Sequence, residues 1–78
     1  MVLGRPVSSS GQRIAAWRRI RGLTIRELAD AAGLYYSSLS RMEKGHQEPR
    51  TAETEQIAAA LGLTMAQFYG NAAERDAS

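Results

Sequence analysis

The chain has no cysteine, one histidine (His46), one tryptophan, one phenylalanine and two prolines in 78 residues. Each scarcity closes a class of function. Without cysteine there is no disulfide and no thiolate metal site, and a reducing cytoplasm fits. A single histidine leaves no imidazole cluster to hold a metal, so no metal or other cofactor is expected. No apolar run approaches the ~20 residues of a membrane span, and no charged start followed by an apolar core marks a secretory signal. Catalysis needs convergent groups in a pocket. The chain offers no carboxylate pair on a clear shared face, no phosphate loop and no dinucleotide fingerprint, so no enzyme is expected. At this length one domain forms, burying about 60–65% of its unfolded surface around a small core.

What is abundant is glycine in regular places. Gly22, Gly33, Gly45, Gly62 and Gly70 each follow a run with helical period, and glycine just past a helix is the favoured stop. That pattern predicts five helices and leaves no alternating segment for a strand. The first would run from about Ser10 to Arg21, with Ser9 and Gln12 as its capping box. The fourth would run from about Ala52 to Leu61, opened by Thr51, with Thr54, Ile57, Ala58 and Leu61 inward. Leu63, Thr64, Gln67 and Phe68 form a staple and box that start a short fifth helix ending near Gly70. Residues 1–8, with Gly4 and Pro6, read as a mobile arm from which Arg5 could reach a phosphate or minor groove. Residues 9–70 are the domain, and 71–78 a frayed polar tail.

Net charge is only +2, but its layout is uneven. Arg5, Arg13, Arg18, Arg19, Arg21 and Arg26 precede the first acid, Glu27, whereas Glu48, Glu53, Glu55, Glu74 and Asp76 weight the other end. A basic pole opposite an acidic one suits a module that meets phosphate on one side. Ordinary surface charge is the competing reading.

The centre of the chain is IRELADAAGLYYSSLSRMEK, Ile25 to Lys44. Thr24 and Glu27 make a capping box, and Leu23 and Leu28 a hydrophobic staple, for a helix ending at Ala32. Gly33 supplies a tight turn. A second helix, about Tyr36 to Lys44, places Tyr35, Ser38, Leu39 and Met42 on one side and Ser37, Ser40, Arg41 and Lys44 on the other. One helix anchors and the next presents a polar, cationic face.

Leu28, Ala29, Ala32, Gly33, Leu34, Leu39 and Met42, with SRMEKGHQEP at Ser40 to Pro49, resemble the helix-turn-helix of the Cro/XRE, lambda-repressor-like family. The resemblance extends from about Gly11 to Gly70. It implies an all-α, five-helix DNA-binding domain that reads double-stranded DNA as a homodimeric transcriptional repressor, in the cytoplasm and at the nucleoid. Base contacts would fall to Tyr36, Ser37, Ser40 and Arg41. Arginine can grip guanine O6 and N7 bidentately, serine can bond a base edge, and a tyrosine ring can lie on a thymine methyl. Phosphate contacts would fall to Thr24 and Arg26 at a helix start, and to Arg13, Lys44, His46 and Gln47. Arg18 on a core-facing side needs a carboxylate, and the resemblance implies Glu43. An apolar side of Leu63, Met65, Phe68 and Tyr69 would supply the self-contact.

Two positions depart from the family. Many members carry a backbone-holding glutamine where Ile25 stands, and a serine or threonine cap where Tyr35 stands; Ser37 or Ser38 would then have to compensate, or the reading helix start late. These departures and the low net charge keep a second reading open, an antitoxin-like or adaptor module whose helix-turn-helix no longer reads DNA. The residues do not choose between repression and activation.

Overall fold

A computed structural model describes residues 10–70. The expected arm, the Ser9 half of the first capping box and the expected tail lie outside them. Five helices follow one another: α1 (Ser10–Ile20), α2 (Ile25–Ala32), α3 (Tyr36–Glu43), α4 (Thr51–Ala60) and α5 (Met65–Tyr69). There is no strand among the described residues, and no helix among them is long and apolar enough to cross a membrane.

The core is a set of medium aliphatic groups and one phenyl ring drawn from every helix. Ile14, Leu28, Ala29, Leu39, Met42, Ile57 and Phe68 are fully buried, with Ala32, Ala58 and Leu61 nearly so. α2 lies against α3 and α4, α1 against α3, and α5 closes the end between α1 and α4. Thr54 is the buried polar residue among them, and its hydroxyl donates to the Arg50 carbonyl at 3.1 Å, so that hydroxyl is not left bare.

Local chemistry sets the helix starts. Thr24 Oγ1 accepts from the Glu27 amide at 3.0 Å, and Glu27 Oε1 accepts from the Thr24 amide at 2.9 Å. The Thr64–Gln67 box at α5 repeats this with 3.0 and 2.8 Å bonds. α4 starts one residue earlier than expected, with Arg50 as cap. Glu53 Oε1 accepts from the Arg50 amide at 2.8 Å. An arginine side chain has no acceptor to return the bond, so this is half a box. α3 starts at Tyr36 with no side-chain cap; neither Ser37 nor Ser38 compensates for Tyr35.

The turn between α2 and α3 depends on Gly33, at φ 74°. The Gly33 and Leu34 amides close back onto the Asp30 and Ala29 carbonyls at 3.2 and 2.9 Å, a helix ending that a side chain at Gly33 would strain. Gly70 differs from the other helix-ending glycines, at φ −99°, so no left-handed backbone calls for glycine there, although a Cβ would crowd the Ala66 carbonyl oxygen at 3.1 Å.

Helix ends elsewhere are closed by side chains from distant helices. Arg21 Nε donates to the Leu61 carbonyl past α4 at 2.9 Å. Gln56 Nε2 donates to the Ala32 carbonyl at the end of α2 at 2.9 Å. Arg13 Nη1 donates to Tyr69 O at 2.9 Å and Phe68 O at 3.3 Å, and Trp17 Nε1 also donates to Phe68 O at 3.3 Å. Terminal carbonyls lack intrahelical donors and carry the negative end of the dipole, so a guanidinium suits them.

Candidate nucleic-acid interface

α3 is held from below and open above. Leu39 and Met42 are completely buried, while Tyr36, Ser37 and Arg41 are exposed and Ser40 is half-buried. Lys44 caps the C-terminal end and is exposed. Four side chains able to bond bases or phosphate thus share the outward side of one short rod, with Lys44 just past its end. Tyr35 does not join the buried side that helical spacing assigns it. It stands outside the helix as N-cap with extended backbone, where the 100° rule does not apply, and is 82% exposed.

The scaffold fixes α3 from α1. Arg18 Nε and Nη2 donate to Glu43 Oε2 and Oε1 at 2.7 and 3.0 Å, and Arg18 Nη1 donates to Leu23 O at 2.8 Å. The side chains of this pair are 13% and 7% exposed. The hydrogen bond to Glu43, helped by its charge, holds the guanidinium above its ordinary range while burial pulls the other way. Gly11 makes the close approach possible. A Cβ there would run into the Met42 carbonyl oxygen. The sequence shows only a glycine near a helix start, and nothing local says that another backbone crosses it.

Two cationic side chains on the outer face have neighbours. The Arg26 guanidinium lies 4.9 Å from the Tyr36 ring centroid. Arg41 Nε donates to Gln47 Oε1 at 3.3 Å, which draws Gln47 beside α3. Neither pairing is visible in the linear spacing. His46 has an exposed side chain, and its amide donates to the Arg41 carbonyl at 2.9 Å.

Three expected contacts need correction. Arg13 points to the end of α5, bonding two carbonyls and lying 5.9 Å from the Tyr69 ring, so its guanidinium is held in the α1–α5 joint and not offered to phosphate. Thr24 has its amide and hydroxyl engaged in the capping box. The first-turn amides that geometry leaves for an anion are those of Ile25 and Arg26. Phe68 is wholly buried in its own domain, against Tyr69 edge-to-face at 5.1 Å. It cannot be a self-contact. Leu63 and Met65 are partly buried against the same core, leaving Tyr69, 45% exposed, as the open part of that side.

The basic pole shrinks accordingly. Arg13 and Arg18 tie α1 to α5 and α3, and Arg21, just past α1, bonds the Leu61 carbonyl just past α4. Arg19, Arg21 and Arg26 are exposed, Arg21 with its Nε held by the Leu61 carbonyl. Ile25 packs partly against the core, which accounts for an apolar residue at that position.

A family model described as helix-turn-helix matches residues 14–68. The immunity repressor protein of Bacillus phage phi105 is 38% identical over 60 residues, covering 77% of this chain and 42% of that protein. The chain thus spans less than half the length of that curated relative.

Proposed function

The chain belongs to the Cro/XRE-type helix-turn-helix family, and from that premise we propose that it is a sequence-specific DNA-binding transcriptional repressor. It lays α3 into the major groove of an operator, binding as a homodimer at the nucleoid. The observation that carries this reading is the division of α3 into a fully buried Leu39–Met42 side and an outward side of Tyr36, Ser37, Ser40 and Arg41. Arg41 reads a guanine and Ser37 a neighbouring base edge. Lys44, Arg26 and the His46 loop grip phosphates, with the Ile25 and Arg26 amides at the start of α2.

Two copies sit with reading helices about 34 Å apart, one turn of DNA, and meet through Leu63, Met65 and Tyr69. Dimerisation follows from need, since one short helix covers too few bases for genomic specificity. Selection of bound duplexes from a random pool tests the reading. A palindromic consensus with a steep salt dependence supports it, and binding indifferent to sequence refutes it. Sedimentation showing a monomer both free and on the selected duplex removes the homodimer.

The exposed Tyr35–Tyr36 pair and the engaged arginines of α1 favour a second reading, an antitoxin-like or adaptor module that binds protein through the same face. Capture of a neighbouring gene product, with no duplex enriched, selects that reading.

A further inference from the structure

Arg26 belongs to the first turn of α2 and Tyr36 is the first residue of α3, yet the guanidinium carbon lies 4.9 Å from the centre of the ring. Both residues are exposed, Tyr36 at 46%. The leading residue of the reading helix is therefore held across the turn by the helix before it.

A guanidinium over an aromatic ring can stack on it through its own flat face. Its donors lie in its plane, at the edge, and remain available. One side chain can thus hold a ring and a phosphate together. The ring is the apolar element at the head of α3, and the apolar group that base pairs display in the major groove is the thymine 5-methyl. A side chain already fixed loses less freedom on binding than a free rotor.

We propose that Arg26 is a positioning residue for base readout, holding the Tyr36 ring against a thymine methyl while its in-plane N–H groups donate to a nearby phosphate. This rests on the reading of α3 as the helix that enters the groove. It couples two roles otherwise separate, since the group that senses the backbone also orients the group that senses the base. Lysine at position 26 keeps the charge and loses the planar stack. Glutamine keeps a planar end and loses the charge.

The test uses the full chain and the duplex that it enriches from a random pool. Each thymine is replaced singly by deoxyuridine, which removes only the methyl, and affinity is measured across salt concentrations. In the wild-type chain one thymine per half-site should lose about fourfold on replacement, the worth of one buried methyl. Arg26→Lys should bring that ratio close to unity with the salt slope retained. Arg26→Gln should lower the slope by about 0.9 for each phosphate that position 26 no longer neutralises, and Tyr36→Phe should leave the ratio as it was. Full methyl discrimination in Arg26→Lys overturns the proposal, as does its loss in Tyr36→Phe or the absence of any methyl-sensitive thymine. If the wild-type chain enriches no duplex at all, the underlying reading of α3 falls with it, an outcome distinct from the other three.

Discussion

Arg18 and Glu43 meet as two planar groups side by side, the guanidinium fork of α1 on the carboxylate of α3, with bonds of 2.7 and 3.0 Å. They lie 25 positions apart in the chain, and the third guanidinium nitrogen bonds the Leu23 carbonyl at the entry to α2. One side chain therefore joins α1, the approach to α2, and α3. Any tilt of α3 must break a bond that neither partner can replace with water at little cost, because both side chains are largely buried.

Removing one partner leaves the other charged and enclosed. Arg18→Ala should lower unfolding free energy by about 3–5 kcal/mol, with the unfolding midpoint falling by about 4–8 °C per kcal/mol in a domain this small. Arg18→Lys should recover only part of the loss, since an ammonium cannot match the two-pronged geometry. Thermal unfolding followed by Trp17 fluorescence measures both. An unchanged midpoint in Arg18→Ala would show that the pair is ornamental.

Gly11 inverts the usual sign of a helix substitution. In an exposed helix interior, replacing glycine by alanine stabilises by about 1 kcal/mol. Here the new methyl would meet the Met42 carbonyl oxygen, a backbone atom that cannot rotate away. Gly11→Ala should instead destabilise by about 1–3 kcal/mol as α1 is levered off α3. The same change at Gly33 should also destabilise, but through backbone strain at φ 74°. Thermal unfolding of the two variants tests both signs.

The α2 start offers a measurement independent of tertiary packing. Thr24→Ala removes the oxygen that accepts from the Glu27 amide, and should cost about 0.5–2 kcal/mol. Because the Ile25 and Arg26 amides keep their place, affinity for the selected duplex should fall far less than stability does. A fall in affinity larger than the stability loss would assign the Thr24 hydroxyl to phosphate after all.

What the chain discloses and what it hides divide by distance along it. The Thr24–Glu27 and Thr64–Gln67 boxes are three-residue patterns, and their bonds are present as spaced. The burial of Leu28, Ala29, Leu39 and Met42 follows from a local period of 3.6. Tyr35 escapes that period because it stands one residue outside the helix that obeys it. Phe68 and Tyr69 read alike as apolar neighbours, and only the packing of α5 between α1 and α4 sends one inward and the other out. The arginines of α1 mislead most. A run of positive charge looks the same whether it faces phosphate or the carbonyl ends of other helices, since both are sites of negative potential. Only the crossing of α1 over the ends of α4 and α5 tells them apart.

That ambiguity makes charge-matched variants informative. Arg13→Met and Lys44→Met each remove one positive charge and keep much of the aliphatic stem. Arg13 holds the Tyr69 and Phe68 carbonyls, so Arg13→Met should destabilise by about 1–2 kcal/mol, between the worth of an ordinary hydrogen bond and that of a well-buried one to a charged group. Its salt dependence of DNA binding should stay as in the wild-type chain. Lys44, exposed at the end of α3, should behave the opposite way. Stability should stay within about 0.5 kcal/mol, affinity should fall alike on all duplexes, and the log–log salt slope should shrink by about 0.9. Long-range attraction by net charge alone would treat the two removals equally, since both leave the molecule one charge less positive. Equal slopes in the two variants would therefore mean that the field of the whole domain, and not the placement of Lys44, governs the encounter with DNA.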